Sequence, residues 1–308
     1  MTFPYDRVAV TGGSGRLGRY VVAELAAYCE VTVVDIAPPA GGDAHAIADV
    51  LDLEAVRGAL AGHQAVVHLA AIDAAIEAPE ETYFRTNVQG TWNVLQAAEE
   101  AGARKVIVCS SSAAVGLGPD HPPRYLPIDE DHPMAPTDAY GMSKQVCETI
   151  AAGFARRGAL DVLCIRPCLI AFPGFIHDMA TRLAAADGGA APPVPAPEWS
   201  RETLPDPLPM TRSFVSPVDV ARCFRHALAA EGVSFGVFYA VAADSCSTLP
   251  TVEVVRREFG HAPEVRGAYA AEPLASAYDI GRARQALGWQ PRDRWAGHVQ
   301  RVLAGDTP

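Results

Sequence analysis

Val8-Ala-Val-Thr-Gly-Gly-Ser-Gly-Arg-Leu-Gly-Arg19 is the stretch that decides the fold of this 308-residue chain. An apolar run, Arg7 to Thr11, stops at glycines spaced three apart: Gly12, Gly15 and Gly18. A helical pattern follows through Leu17, Val21, Val22 and Leu25. Strand, tight turn and helix within about 20 residues present unpaired helix N–H groups and a partial positive charge to whatever lies on the turn. A pyrophosphate suits that place, and glycines let the backbone approach it.

A second strand pattern, Glu30-Val-Thr-Val-Val-Asp35, ends in an acid 17 residues beyond Gly18. A carboxylate there hydrogen-bonds an adenosine ribose and repels a 2′-phosphate, so Asp35 selects NAD over NADP. Ile36, Ala37 and Pro38 supply no cation to reverse that choice, although Arg16 and Arg19 stand near the phosphates.

Apolar residues make up 49% of the chain and charged residues 20%, ample for a packed core. A net charge of −11 and the absence of any Lys/Arg run exclude general affinity for nucleic acid or anionic membrane. No stretch has the length of a membrane span, and the first strand begins too early for a signal peptide. Seven scattered cysteines, several inside strand or helix patterns, read as reduced thiols of a cytoplasmic protein. The nine histidines show no zinc spacing, so no metal is expected.

Strand-like runs recur at 7–11, 30–35, 65–70, 104–110 and 160–166. Helical patterns separate them at 16–28, 53–61, 80–102 and 138–157. This alternation predicts an α/β fold, a Rossmann-type doubly wound parallel sheet. The expected division is a dinucleotide-binding domain over 1–170, with the chain returning to it around 213–245. Residues 171–308 then form mainly a smaller C-terminal substrate-binding lobe. The segment 185–212, with seven prolines, is read as a loop covering the substrate.

Tyr140-Gly-Met-Ser-Lys144 sets a phenol and an ammonium one helical turn apart. The ammonium is expected to lower the Tyr140 pKa and make it a general base, with an oxidised nicotinamide pushing the same way. Upstream, a buried strand ends in Ser110-Ser-Ser112, at the sheet edge where ligands bind.

With these residues in order, the chain resembles an extended short-chain dehydrogenase/reductase of the NAD-dependent epimerase/dehydratase group over nearly its whole length. The resemblance carries Thr11 to Gly18 onto the family's T-G-x-x-G-x-x-G turn. It implies NAD contacts from Gly12, Gly15, Arg16, Leu17, Gly18, Asp35, the adenine-side pair Asp49-Val50, and Leu69, Ala70 and Ala71 of His68-Leu-Ala-Ala71. It also implies Asn87 of Thr86-to-Asn93, together with Tyr140 and Lys144. The catalytic set it implies is Ser112, Tyr140 and Lys144, with Ser112 orienting the substrate oxygen. Arg166-Pro167, Arg212-to-Ala221 and Asp279-to-Pro291 match further family stretches.

The departures are informative. Ala113-Ala114 stands where the family's dehydratases carry acids, Val115-Gly116 replaces a Tyr-Gly pair, and Cys168-to-Gly174 replaces an Asn-rich nucleotide-sugar segment. The expected activity is therefore NAD-dependent oxidation of a secondary alcohol on a sugar, sugar acid or similar hydroxy compound. A sugar or nucleotide-sugar epimerase is the alternative, and a non-catalytic NAD-binding regulator a lesser one. The patterns at 80–102 and 138–157 resemble the helix pair through which family members form homodimers.

Overall fold

The computed structural model describes residues 3–305 except 75, 191, 193, 194, 205–207 and 268. Parts of the expected 185–212 loop thus lie outside the described residues. In chain order, β1 (Arg7–Thr11), α1 (Arg16–Ala26), β2 (Glu30–Asp35), β3 (His45–Ile47), α2 (Leu53–Leu60) and β4 (Ala65–His68) form the first half of the sheet. Next come α3 (Glu80–Tyr83), a π-helical turn (Phe84–Gln89), α4 (Gly90–Glu100), β5 (Lys105–Cys109), the short β6 (Tyr125–Leu126), α5 (Ala139–Arg157) and β7 (Asp161–Pro167). The remainder holds β8 (Leu169–Ile170), α6 (Ile176–Asp187), β9 (Phe214–Val215), α7 (Pro217–Ala229), β10 (Phe235–Ala240), α8 (Thr251–Phe259), β11 (Glu264–Val265), α9 (Gly281–Leu287) and α10 (Trp295–Leu303).

Seven strands form one sheet in the order β10-β7-β5-β4-β1-β2-β3. All of its pairings are parallel. Order reverses between β1 and β4, and a crevice at such a switch point holds ligands beyond the strands' carboxyl ends. The central strands are apolar throughout because helices cover both faces. Val8, Val10 and Val67 point into one core and Ala9, Val66 and Val106 into the other. Helix ends follow their caps: Asp52 opens α2, Asp138 opens α5 and Ser216 with Pro217 opens α7, while Gly158 at φ 82° closes α5.

The structure differs from the sequence reading in three places. The helical pattern over 80–102 is interrupted by the π turn, whose extra residue per turn swings Asn87 inward. Helices α6 and α10 were not expected. With Phe175, Leu204 and Phe214 they build a third, separate core around Met179 and Val302. The tail is tied back by α7: Asp219 accepts hydrogen bonds from the Arg292 and Asp293 amides, both at 2.8 Å, and its carbonyl from the buried Trp289 ring at 3.1 Å.

Candidate active site

Two elements meet at the switch point: the glycine turn after β1, and α5 crossing the end of β5. Gly12 has φ +71°, and a Cβ there would lie 2.6 Å from the Ala70 nitrogen, so only glycine lets the β1 and β4 loops touch. A Cβ on Gly18 would strike the Gly12 carbonyl, which keeps α1 close to the strand. Gly15 starts α1 with no side-chain cap and no acid in the first turn. The N-terminus is left able to receive an anion.

Asp35 closes the adenosine end. Its carboxylate accepts the Ser14 amide at 3.0 Å and the Ala37 amide at 3.4 Å, fixing it beside the turn. Asp49 holds the Leu51 amide at 2.9 Å, and the Val50 carbonyl takes the Asn93 amide group at 2.8 Å. Leu69 and Ala70 are hydrogen-bonded to Thr11, and with Ala71 they stay half-buried between the two strands. These residues fit NAD: an uncapped helix start for the pyrophosphate, a glycine cradle that a Cβ would fill, and a fixed carboxylate for the ribose.

Two residues with an expected cofactor role also have partners within the protein. Arg16 pairs with Glu202 at 2.8 Å and lies over the Phe175 ring at 4.8 Å, joining the glycine turn to the C-terminal lobe. Beside it Leu17 is half-buried against the core. Asn87 bonds the Ile72 amide at 2.8 Å, the Ile72 carbonyl at 3.1 Å and the Ser143 hydroxyl at 2.9 Å. Its amide is consumed in pinning the β4–α3 loop to α5.

Tyr140 and Lys144 lie together on α5, the Lys144 ammonium 5.7 Å from the centre of the Tyr140 ring and 2.9 Å from the Cys109 carbonyl. The three serines diverge. Ser110 donates to Glu148 at 2.6 Å. The Ser111 hydroxyl caps the following turn at the Ala113 amide (3.1 Å) and hydrogen-bonds the Tyr140 phenol. Ser112, the residue expected to face Tyr140, turns instead to the buried phenol of Tyr278. Ser111 is the extended residue that caps the turn, and Ser112 is the turn's first residue.

The protein's own charges leave Tyr140 less activated than the sequence suggested. Burial pushes the phenol above its ordinary value, and neither Lys144 nor Ser111 cancels it. Burial opposes the Lys144 charge too, but Tyr140, Cys109, Cys147 and Asp73 overcome that and hold the ammonium charged. An oxidised nicotinamide bound beside the phenol would add a positive charge that favours the phenolate.

Behind the pair runs a buried polar chain: Thr11 to His68 at 2.7 Å, His68 to Thr91 at 3.1 Å, Thr91 to Cys147 at 3.3 Å. Burial pushes His68 down to about 3, so the ring is neutral. Glu148, not anticipated from the sequence, lies one turn past Lys144 and grips Arg166; that i+4 spacing was its readable signal. Tyr83, also missed, packs edge-on to Tyr140 at 6.2 Å. Among the described residues no three His, Cys, Asp or Glu side chains gather into a group able to hold a metal.

A dinucleotide crevice beside a Ser-Tyr-Lys cluster defines the class: an oxidoreductase that moves a hydride to or from NAD. Residues 8–239 match the NAD dependent epimerase/dehydratase family, and the chain belongs to it. It is 29% identical to the UDP-glucose 4-epimerase of Streptomyces lividans over 329 residues, covering 94% of this chain and 95% of that one. It is 27% identical to the uronate dehydrogenase of Pseudomonas syringae pv. tomato over 168 residues, 53% of this chain and only 59% of the relative. A short-chain dehydrogenase/reductase superfamily protein from Agrobacterium tumefaciens with bound NAD shares the fold, with TM-score 0.72, 22% identity and 97% of each chain covered.

Proposed function

We propose that the chain is a dehydrogenase that oxidises a secondary alcohol of an unactivated sugar or sugar-like compound. Bound NAD supplies the hydride acceptor. Tyr140 removes the hydroxyl proton as the carbinol hydrogen leaves as hydride, giving a carbonyl and NADH. Ser111 orients the same oxygen through its hydroxyl. Lys144 stabilises the phenolate. The observation that carries this reading is the convergence of Ser111 and Lys144 on one phenol at the carboxyl edge of the sheet.

Dehydrogenation is favoured over nucleotide-sugar epimerisation by the arginines. The three buried ones among the described residues, Arg166, Arg212 and Arg222, are each paired with a carboxylate, Glu148, Glu258 and Asp219. A diphosphate would have to break such a pair to gain a buried guanidinium. The epimerase reading keeps one specific support, the near full-length likeness to a UDP-glucose 4-epimerase.

Residues 171–308 are proposed to form most of the substrate side. We also propose a homodimer through the helical stretches 80–102 and 138–157, the first of which exposes Phe84 and Trp92. A cytoplasmic setting agrees with seven unpaired cysteines, and no helix among the described residues is long and apolar enough to cross a membrane. Incubation with NAD and a panel of free sugars, sugar acids and UDP-sugars tests the activity. Accumulating NADH supports it; a new epimer with no net NADH replaces it with the alternative.

A further inference from the structure

The segment from Leu117 to Ala135 leaves the turn Ser112–Val115 and returns to it just before α5. His132 closes this excursion with a buried ring, 2% exposed. Its Nε2 takes the Arg124 amide at 3.0 Å, and its Nδ1 meets the Pro133 carbonyl at 2.9 Å. An amide N–H only donates and a carbonyl only accepts. Nε2 is therefore bare, Nδ1 carries the hydrogen, and the ring is neutral with both nitrogens occupied. A second proton would turn Nε2 into a buried donor facing another donor.

The groups around the ring do not favour that proton. His121 lies edge-on at 6.1 Å and reaches the same Pro133 carbonyl at 3.4 Å, and the Tyr125 ring lies 5.2 Å away. The Asp129 carboxylate is engaged by the Tyr125 hydroxyl at 2.7 Å and the Asp131 amide at 3.1 Å. Just past β11, Arg266 covers the Tyr125 ring at 3.7 Å and pairs with Glu264. Burial lowers the His132 pKa first, and the charges of His121 and Arg124 add to it; the Pro133 carbonyl and Asp129 oppose them. The folded ring thus takes its proton below the ordinary 6.5. What the neutral ring contributes is whole above that value and is lost as pH falls.

The return arm bears on the reacting residues. Ala135 donates to the Val115 carbonyl at 2.9 Å, and Pro136 lies so close to Gly116 that a Cβ there would strike it. Asp138 then caps the Gly141 amide at 2.8 Å, and a Cβ on Gly141 would lie 2.7 Å from the Ala113 carbonyl. Ser111 caps the Ser112–Val115 turn and Tyr140 stands in the first turn of α5, so both are set on this one joint.

We propose that His132 is a positioning residue for Ser111 and Tyr140 that works only as the neutral Nδ1–H tautomer. Proton uptake at Nε2 releases the return arm, and the joint that aligns the two hydroxyls loosens in acid. The link to turnover rests on the sugar-oxidising reading above; the loosening itself does not.

Hydrogen exchange of the full chain at pH 7.5 and 5, read by mass spectrometry and corrected for intrinsic rates, measures the loosening. Opening of residues 121–136 should rise by about tenfold in acid, because the freed ring takes a proton near 6.5 that the pinned ring refuses. It should spread to 111–116 and 138–144, beyond any change in β1 and β4, which report on His68. His132→Gln supplies an acceptor and a donor without titrating, so the pH dependence should vanish whatever the level of opening. Kinetics add a second readout. In NADH-driven reduction of the carbonyl product Tyr140 acts as an acid, so low pH does not disable it. The unaltered protein should still lose kcat several-fold between pH 7.5 and 5 with KM for NADH nearly unchanged, and His132→Gln should not. Equal exchange at the two pH values, acid loosening retained in His132→Gln, or loosening confined to 121–134 overturns the inference. So does a reduction rate equally acid-sensitive in both proteins. If exchange behaves as expected and no sugar is converted at any pH, the sugar-oxidising reading fails while the acid-sensitive joint stands.

Discussion

Glu148 takes Arg166 in a forked grip, Oε1 to Nε and Oε2 to Nη2, both at 2.7 Å and both side chains buried. The pair bolts α5 to β7 directly beneath Lys144, and Ser110 adds a third hydrogen bond to the same carboxylate. Its value lies less in net stability than in fixing where α5 stands, since a buried ion pair roughly repays its own desolvation.

Removing one partner leaves a buried guanidinium uncompensated. Glu148→Gln is expected to destabilise by about 3–5 kcal/mol, and to lower kcat more than it raises KM for NAD. Urea denaturation and steady-state kinetics read both. A double variant, Glu148→Leu with Arg166→Met, should recover part of the stability, because the volume is then filled without charge.

Serine identity separates sharply. Ser111→Ala should cut kcat/KM by about a hundredfold, the usual cost of one lost donor to a reacting oxygen. It should also shift the rising limb of the pH profile upward, as the hydrogen bond that lowers the Tyr140 phenol is gone. Ser112→Ala, whose hydroxyl serves Tyr278, should stay within a few-fold of the unaltered protein. The reverse ranking in initial-rate assays would return the role to Ser112.

Asp35→Ala should weaken NAD by about tenfold and leave NADP nearly unaffected, so the ratio of their KM values narrows. Titration by quenching of protein fluorescence measures both. An unaltered ratio would show that selection lies elsewhere on the turn.

His68 links pH to stability. Unfolded, the ring takes a proton near 6.5; folded, burial holds that uptake off until about 3. The unfolded state therefore binds more protons across this window. Stability from His68 is whole above pH 6.5 and falls below it by about 1.4 kcal/mol per pH unit. His68→Gln should flatten that part of the curve in denaturation series between pH 7 and 4.

The glycine turn, Asp35 and the Tyr140-Lys144 spacing were legible because each uses a residue type that few other positions require. Three adjacent serines were not separable on paper: their directions depend on where β5 ends and how the turn after it winds. Lys144 beside Tyr140 can be read from spacing, whereas the burial that raises the phenol cannot. Helices α6 and α10 escaped because their apolar faces meet each other, the two-residue strands β8 and β9 and neighbouring loops.

Strand β10 is residues Phe235–Ala240, yet it pairs with Val162 to Pro167 of β7. During synthesis, β7 therefore waits with an open edge while the intervening segment emerges, and the sheet is finished only after residue 240 leaves the ribosome. A fragment stopped near residue 170 would carry every residue assigned to NAD and still expose a bare, apolar edge. It should aggregate rather than fold.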